Sequence, residues 1–459
     1  MKNYINQLTV AIALLLSTIA PALAQQTRSG YFVEDYTYRF QMNPAMDNST
    51  NFVGMPGLAN VNIAMNGNLH LTSILYNVNG KTTTFLNPEI SAEQALSNLS
   101  NVNRIGADIK LNLLAGGFEA WDGYNTVAIT ARTVVDAKLP KSVFAMLKEG
   151  IENKEYNISN INARTLAYAE LAFGHSRDLS DEWRVGATAK LLLGGARMDA
   201  QLRNANLVLG TDNWSITSDG QINANVKGLN YKLSTNKSTG KEYVSGIDIK
   251  GAGLNGFGIA FDLGAVYNPD FMPELTLSAS LLDLGFIGWS NGMNASTDGE
   301  HTFNSEDYIF NVDNKKPNSF DNEWKHMSDN LAAVYQLNDM GNTGSRISGV
   351  GTTFNIGAEY RLPLYDKLTF GLLNTTRIAG IYSWTDFRLS ANIAPCDIFS
   401  ASANIAEGTF GFSFGWLANL HLKGFNMFLG MDHTLGKLAK QGIPLSSNAQ
   451  ANLGINFLF

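Results

Sequence analysis

The chain is 459 residues long, with 33 Lys and Arg against 40 Asp and Glu, a formal net charge of −7. Only 16% of it is charged, where soluble domains carry about 25%, and its single cysteine, Cys396, excludes a disulfide framework, a thiol redox pair and a cysteine-built zinc site. An acidic balance with no basic block excludes a nucleic-acid binder.

Residues 1–24 read as a secretory signal. Lys2 gives the positive start, Leu8 to Ile19 is almost wholly apolar, and Ala22-Leu23-Ala24 offers a small-x-small cleavage site before Gln25. The run is shorter than the ~20 apolar residues a spanning helix needs. Gln25, standing where a lipoprotein requires cysteine, excludes a lipid anchor at that point. The mature chain then lies beyond the inner membrane. Residues 25–59 hold Tyr31, Phe32, Tyr36, Tyr38 and Phe40, then Asn43-Pro44-Ala45 and Gly54-Met55-Pro56-Gly57-Leu58. They lack clean alternation and their prolines disfavour a barrel strand, so this stretch is expected to be a hatch or plug.

From residue 60 to 459, segments of about ten residues alternate between a greasy and a polar face, the period of a strand. Phe257, Ile259, Phe261 and Leu263 alternate with Gly258, Asp262 and Gly264; Phe354, Ile356, Ala358 and Tyr360 alternate with Asn355, Gly357, Glu359 and Arg361. Bulky apolar side chains opposite glycine, serine, asparagine and charge suit lipid outside and a wet interior. The fold class expected is all-β: a transmembrane antiparallel β-barrel with long extracellular loops. Sixteen segments can be read. The hairpin 198–226 is polar at Asn204, Asn206, Asp212 and Asn213, and standing outside the membrane it would leave fourteen, the preferred count. Tight gaps such as 117–121, 177–181 and 269–273 alternate with long ones such as 71–104, 227–254 and 288–350, placing the long loops outside. Trp121, Trp183, Tyr267 and Tyr365 collect at the tight turns, as an interfacial girdle would.

Several segments carry candidate chemistry. Val143, Phe144, Met146, Leu147 and Ile151 fall at helical spacing within 139–153, either packed on the barrel rim or forming an apolar rim site for a hydrophobic ligand. Asp108, Lys110, Arg132, Asp136, Lys190, Asp262, Asp283, Glu359, Arg361 and Arg388 are expected to face the lumen. The alternation slips at Leu281-Leu282, which predicts a bulge turning Asp283 inward beside Asp262. These charges either close the barrel as a salt-bridge network or form a polar constriction that gates a path. The 288–350 insertion is polar and reads as a solvated external loop. None of the six histidines sits in a zinc or nucleophile motif, and Asp432 and His433, as strand neighbours, should point to opposite faces. No enzyme activity, cofactor or metal is expected. At the end of the chain, Gly454, Phe457 and Phe459 form a polar-x-glycine-x-x-aromatic-x-aromatic ending that resembles the signal read by the outer-membrane assembly machinery.

Asn43-Pro44-Ala45 ahead of the first strand, Phe261-Asp262-Leu263-Gly264-Ala265-Val266-Tyr267, and Ser280-Leu281-Leu282-Asp283-Leu284-Gly285-Phe286-Ile287 together resemble the fatty-acid-transporter (FadL-like) superfamily of outer-membrane barrels and its PorV-type secretion relatives in Bacteroidota. The nearest likeness is to an uncharacterised Bacteroidota barrel family within or beside that group. The resemblance implies a fourteen-stranded barrel plugged by its N-terminus and integral to a Gram-negative outer membrane. It also implies a passive role in binding or moving a hydrophobic or amphipathic small molecule. The alternative is a non-transporting scaffold of a secretion or surface complex. The partners expected are outer-membrane lipid and lipopolysaccharide, the barrel assembly machinery, and either a hydrophobic ligand or such a complex.

Overall fold

The computed structural model describes residues 27–48, 50–150, 154–210, 214–236, 240–251, 253–297, 299–304, 334, 336–433 and 449–459. The signal read at 1–24 lies outside the described residues, as do Ile151 of the rim segment and 305–333 of the long insertion.

The alternating segments form fourteen antiparallel barrel strands: Asn60–Gly67, Val102–Glu119, Tyr124–Pro140, Ile161–Asp178, Trp183–Leu209, Gly256–Tyr267, Leu275–Ser296, Thr352–Arg361, Leu368–Ile378, Trp384–Cys396, Phe399–Gly408, Ser413–Leu422, Phe425–Met431 and Ala449–Leu458. Asn60–Gly67 pairs with Val102–Glu119 on one side and with Ala449–Leu458 on the other, which closes the sheet. Closure leaves no open edge in the spanning region, where each unmet backbone group would cost several kcal/mol. On Gly256–Tyr267 the outward residues Phe257 and Ile259 are 62% and 47% exposed, while Ala260 and Asp262 are buried inside. That alternation is a lipid face wrapped around a packed interior.

Tight turns at 120–123, 179–182, 268–274, 362–367, 397–398 and 423–424 lie at one end of the barrel, with the C-terminus. Trp183 stacks on Tyr267 at that end, with ring centroids 4.5 Å apart. The opposite end carries the long connections, although 379–383 and 409–412 there are short. Phe410 and Phe412 lie in the second of these turns, ahead of the strand that starts at Ser413.

Three boundaries differ from the sequence reading. The first arm of the hairpin read at 198–226 is the far half of a single long strand, Trp183–Leu209, and Trp214–Val226 pairs with that half above the barrel. The count is thus fourteen. The insertion read from 288 begins as strand, because Leu275–Ser296 continues outward to pair with Trp214–Val226 and with Asn338–Gly349. The barrel wall starts before residue 60: Phe52–Gly54 bridges Ala449–Leu458 and Val102–Glu119. The interruption at 55–59 holds Pro56, which has no N–H to give a ladder, and Gly57, whose φ of 75° suits glycine.

Residues from Thr27 to Asn48 fold inside the barrel. Two 3-10 turns, Arg28–Gly30 and Arg39–Gln41, compact the segment, and Tyr31, Tyr36, Tyr38, Phe40 and Met42 are buried against Phe52, Leu373, Leu417 and Phe428. Burying each such aromatic contributes about 2–3 kcal/mol. Their hydroxyls are met by the wall: Tyr36 donates to Asn452 at 3.0 Å, Tyr38 donates to Asn456 at 2.7 Å, and Tyr31 lies 3.1 Å from the Ser278 hydroxyl. This accounts for the inward asparagines of the last strand. They are partners for plug tyrosines, not the lining of an open pore.

Candidate functional site: the plugged lumen

The interior is layered from the tight-turn end outward. At the lowest level the plug is seated by Asn43-Pro44-Ala45. Asn43 Nδ2 donates to the carbonyls of Ala265 and Ala279, each at 3.3 Å, and Asn43 Oδ1 accepts from Ala45 N at 3.0 Å. A Cβ on Gly264 would collide with Asn43 Oδ1, and one on Gly186 with the Pro44 carbonyl. The glycine of the first Asp-Leu-Gly motif is therefore where the Asn-Pro-Ala turn presses on the wall. Next to it, the Met42 carbonyl accepts from Ser280 Oγ at 2.6 Å and Asn355 Nδ2 at 2.9 Å.

Glu359 and Arg361 do not join the central charges. They line a vestibule at the tight-turn end with Glu34, Arg39, Asp47 and Arg184, and Arg361, half-exposed, reaches Glu34 at 3.9 Å. Their strand ends there, so inward parity delivers them to the mouth and not to the centre. Burial in this vestibule raises the Asp47 carboxyl above its ordinary range; Arg184, 2.5 Å away, pulls in the opposite direction.

Two ionic clusters occupy the middle. In the first, Arg132 reaches Asp283 at 2.7 Å, Asp108 at 3.0 Å and Glu170 at 3.4 Å, while Lys190 reaches Asp283 at 2.6 Å and Asp262 at 2.7 Å. The register against Gly256–Tyr267 slips between Phe261 and Leu263, so Leu282 and Asp283 together oppose Asp262. Asp283, at φ 57°, turns inward there and its backbone N–H donates to Asp262 Oδ1 at 2.7 Å. Low dielectric makes such groups costly unless they are fully paired, and these carboxylates are.

The second cluster ties the plug to the wall. Arg28 pairs with Asp386 at 2.8 Å and Asp432 at 3.5 Å, and its guanidinium stacks 4.8 Å over the Trp384 ring. Backbone N–H groups of Arg28 and Ser29 donate to the two Asp432 oxygens at 2.6 and 2.8 Å. Arg388 lies 3.3 Å from Asp386 and 3.7 Å from Asp432, and it also donates to Asn404. His433 Nε2 is 3.2 Å from Arg28 Nη2. Asp432 and His433 thus meet at one site, against the expectation that they face apart. Their strand ends at Met431, and the period-two rule stops with it.

Above the first cluster the lumen turns apolar. Val134, Leu166, Tyr168, Leu192, Ala260, Ile287, Trp289 and Val350 pack together inside the outer half of the barrel. Trp289 anchors the group by donating Nε1–H to Ser348 Oγ at 2.8 Å. The rim helix, Lys141–Glu149, buries Val143 and Phe144 against Phe85, Ile90, Ala95 and Tyr156, with Met146 and Leu147 partly buried beside them. Among the described residues its apolar face is covered by the 68–101 connection, so Val143 and Phe144 sit in a packed cap.

The family model for DUF5723, described as a family of unknown function, matches residues 44–432. The chain belongs to this family. No curated protein matches it. Among solved structures it is similar to the toluene transporter TbuX of Ralstonia pickettii, at 9% identity over 92% of this chain and 94% of that one, with a TM-score of 0.40. It is also similar to the toluene transporter TodX of Pseudomonas putida, at 7% identity over 95% and 94%, TM-score 0.39. A third is a FadL homologue of Pseudomonas aeruginosa, at 9% identity over 95% and 98%, TM-score 0.35. The barrel assignment rests on the closed ladder and the lipid-type exterior, which make this an integral membrane barrel of the outer-membrane kind.

Of the charges expected to face the lumen, Asp108, Arg132, Lys190, Asp262 and Asp283 meet in the first cluster, whereas Arg388 belongs to the plug anchor. Arg28, Glu170 and Asp386 join these clusters without having been expected there. The run Trp384-Thr385-Asp386-Phe387-Arg388 carries a usable signal, since period two puts Trp384, Asp386 and Arg388 on one inward face. Arg28 has no such signal, because its partners lie 358 and about 400 residues away.

Proposed function

We propose that the protein is a gated outer-membrane barrel that passively binds and admits a small hydrophobic or amphipathic molecule. The observation that carries this reading is the inward apolar cluster around Trp289, set above a charged floor. A water-filled porin lines its lumen with polar groups. An interior that is apolar at one level and ionic at the next favours a guest with little charge in the upper layer. In this reading the ionic layer and the Asn43-Pro44-Ala45 seat are the gate. The plug shifts, the Arg28 anchor opens, and no cofactor is consumed. Lipopolysaccharide would surround the exposed outer band, and the Gly454, Phe457 and Phe459 ending would be read by the assembly machinery of a Gram-negative envelope.

The test is uptake into proteoliposomes of labelled fatty acids and neutral aromatics, with quenching of Trp289 fluorescence read against a Trp289→Phe variant. Saturable binding with quenching assigned to Trp289 supports the reading. Uptake equal to protein-free liposomes and no retained ligand overturns it. A second reading, a sealed scaffold for a secretion or surface complex, is favoured by one feature: the sheet built by Trp214–Val226, His301–Asn304 and the outer half of Trp183–Leu209 beyond the barrel. It predicts near-stoichiometric co-purification of a partner protein.

A further inference from the structure

A small cavity of about 40 Å³ lies between the two ionic clusters, bounded below by Gln41 and Met42 of the plug. Its charged lining is unequal: Arg28, Lys110, Arg132, Lys190 and Arg377 face it against Asp108 and Asp283. Both carboxylates already hold Arg132, and Asp283 holds Lys190 as well. Lys110 is different. It is buried at 8% exposure, yet among the described residues its ammonium has no hydrogen bond and no carboxylate within 4 Å. Glu170, on the neighbouring wall, is engaged by Arg132. A second orphan shares the cavity, since the hydroxyl of Thr375, 3% exposed, also has no partner. Arg377 gives Nη2–H to the Val350 carbonyl at 3.1 Å and lines the same space.

We propose that Lys110, Thr375 and Arg377 form a binding site for one small monovalent anion, chloride in the cell envelope. Glu170 and Asp283 attract the Lys110 ammonium from beyond ion-pair distance while Arg132 holds both, so a partner in direct contact with the ammonium would offset desolvation that they leave uncompensated. A halide accepts from the ammonium, the guanidinium and the hydroxyl together, and all three are donors. The volume suits it, because about 10–15 Å³ of such space already admits one water, and a chloride is only slightly larger. The site touches the plug through Gln41 and Met42 and the wall through Lys110, Thr375 and Arg377, so the bound anion joins the two. This holds whether or not the barrel transports anything.

The test uses the full mature chain in detergent, melted in sodium chloride and in sodium gluconate at equal ionic strength, gluconate being too large to enter. Chloride should raise Tm by a few degrees, saturably. Lys110→Met should abolish the difference. Thr375→Val, which keeps every charge, should raise the chloride concentration for half-effect roughly tenfold, the loss of one hydrogen bond to a charged group, and it serves if Lys110→Met does not fold. Crystals grown in sodium bromide should show an anomalous peak in hydrogen-bond contact with Lys110 Nζ and Thr375 Oγ1. Equal melting in both salts, a chloride effect unchanged in the variants, or a bromide-grown crystal with no peak there would each overturn the proposal.

Discussion

Replacing Arg28 with methionine should unlatch the plug. The Arg28 side chain is 7% exposed and meets Asp386 at 2.8 Å and Asp432 at 3.5 Å. Breaking a buried pair by removing one partner costs about 3–5 kcal/mol, because the abandoned charge stays in low dielectric. Here the lower end applies. Arg388 remains 3.3 Å from Asp386, and two backbone N–H groups still serve Asp432. Methionine keeps much of the contact with Trp384, so packing changes little. A loss of about 3 kcal/mol shifts the docked-to-undocked ratio of the plug roughly 10²-fold. The assay is planar-bilayer conductance joined to limited proteolysis of the N-terminal segment. The variant should show opening events and cleavage between residues 27 and 48 under conditions where the parent shows neither. A closed, protease-resistant Arg28→Met barrel would refute the view that this ion pair anchors the plug.

Other outcomes follow from the same geometry. Arg132→Met strands Asp108 and Glu170, while Asp283 keeps Lys190 at 2.6 Å, so urea unfolding in detergent should report a loss of about 3–5 kcal/mol; a change below about 1 kcal/mol would contradict the network. Restoring neutrality with Asp283→Asn in the same chain should recover part of that loss, which a double-mutant cycle measures. Gly454→Val places a Cβ against the Phe428 ring and the Ala59 carbonyl at the closing seam. It should destabilise the barrel by about 1–3 kcal/mol, seen as lost heat-modifiability on gels, while Phe457→Leu on the outer face should change stability far less.

Much of the wall was legible in the sequence because a sheet with lipid on one side must alternate, and any lapse shows. The lapse at Leu281-Leu282 pointed to the bulge that turns Asp283 inward. The same rule failed at Asp432 and His433, where the strand had already ended. The hairpin read at 198–226 hid the continuity of Trp183–Leu209, because the strand leaves the membrane midway, turns polar at Asn204 and Asn206, and slips register against its neighbours at Ala167/Tyr168 and Asp219/Gly220. The plug was recognisable as a non-strand rich in tyrosine and phenylalanine. Its docking was not, since Tyr36, Tyr38 and Arg28 find partners about 350–420 residues away, and local pattern carries no record of such pairings. The rim helix was found by its period, but the 68–101 cover over Val143 and Phe144 could not be read from the helix alone.

Spin labels placed singly along Gly256–Tyr267, after Cys396→Ser, test the central arrangement most directly. Accessibility to oxygen in lipid should peak at Phe257, Ile259, Phe261 and Leu263 and collapse at Gly258, Ala260 and Asp262, with a water-soluble nickel chelate excluded from the first set. Labels at Phe257, Ile259 and Phe261 that meet the chelate and not the oxygen, or a profile without period two, would contradict a lipid-facing barrel with a filled interior.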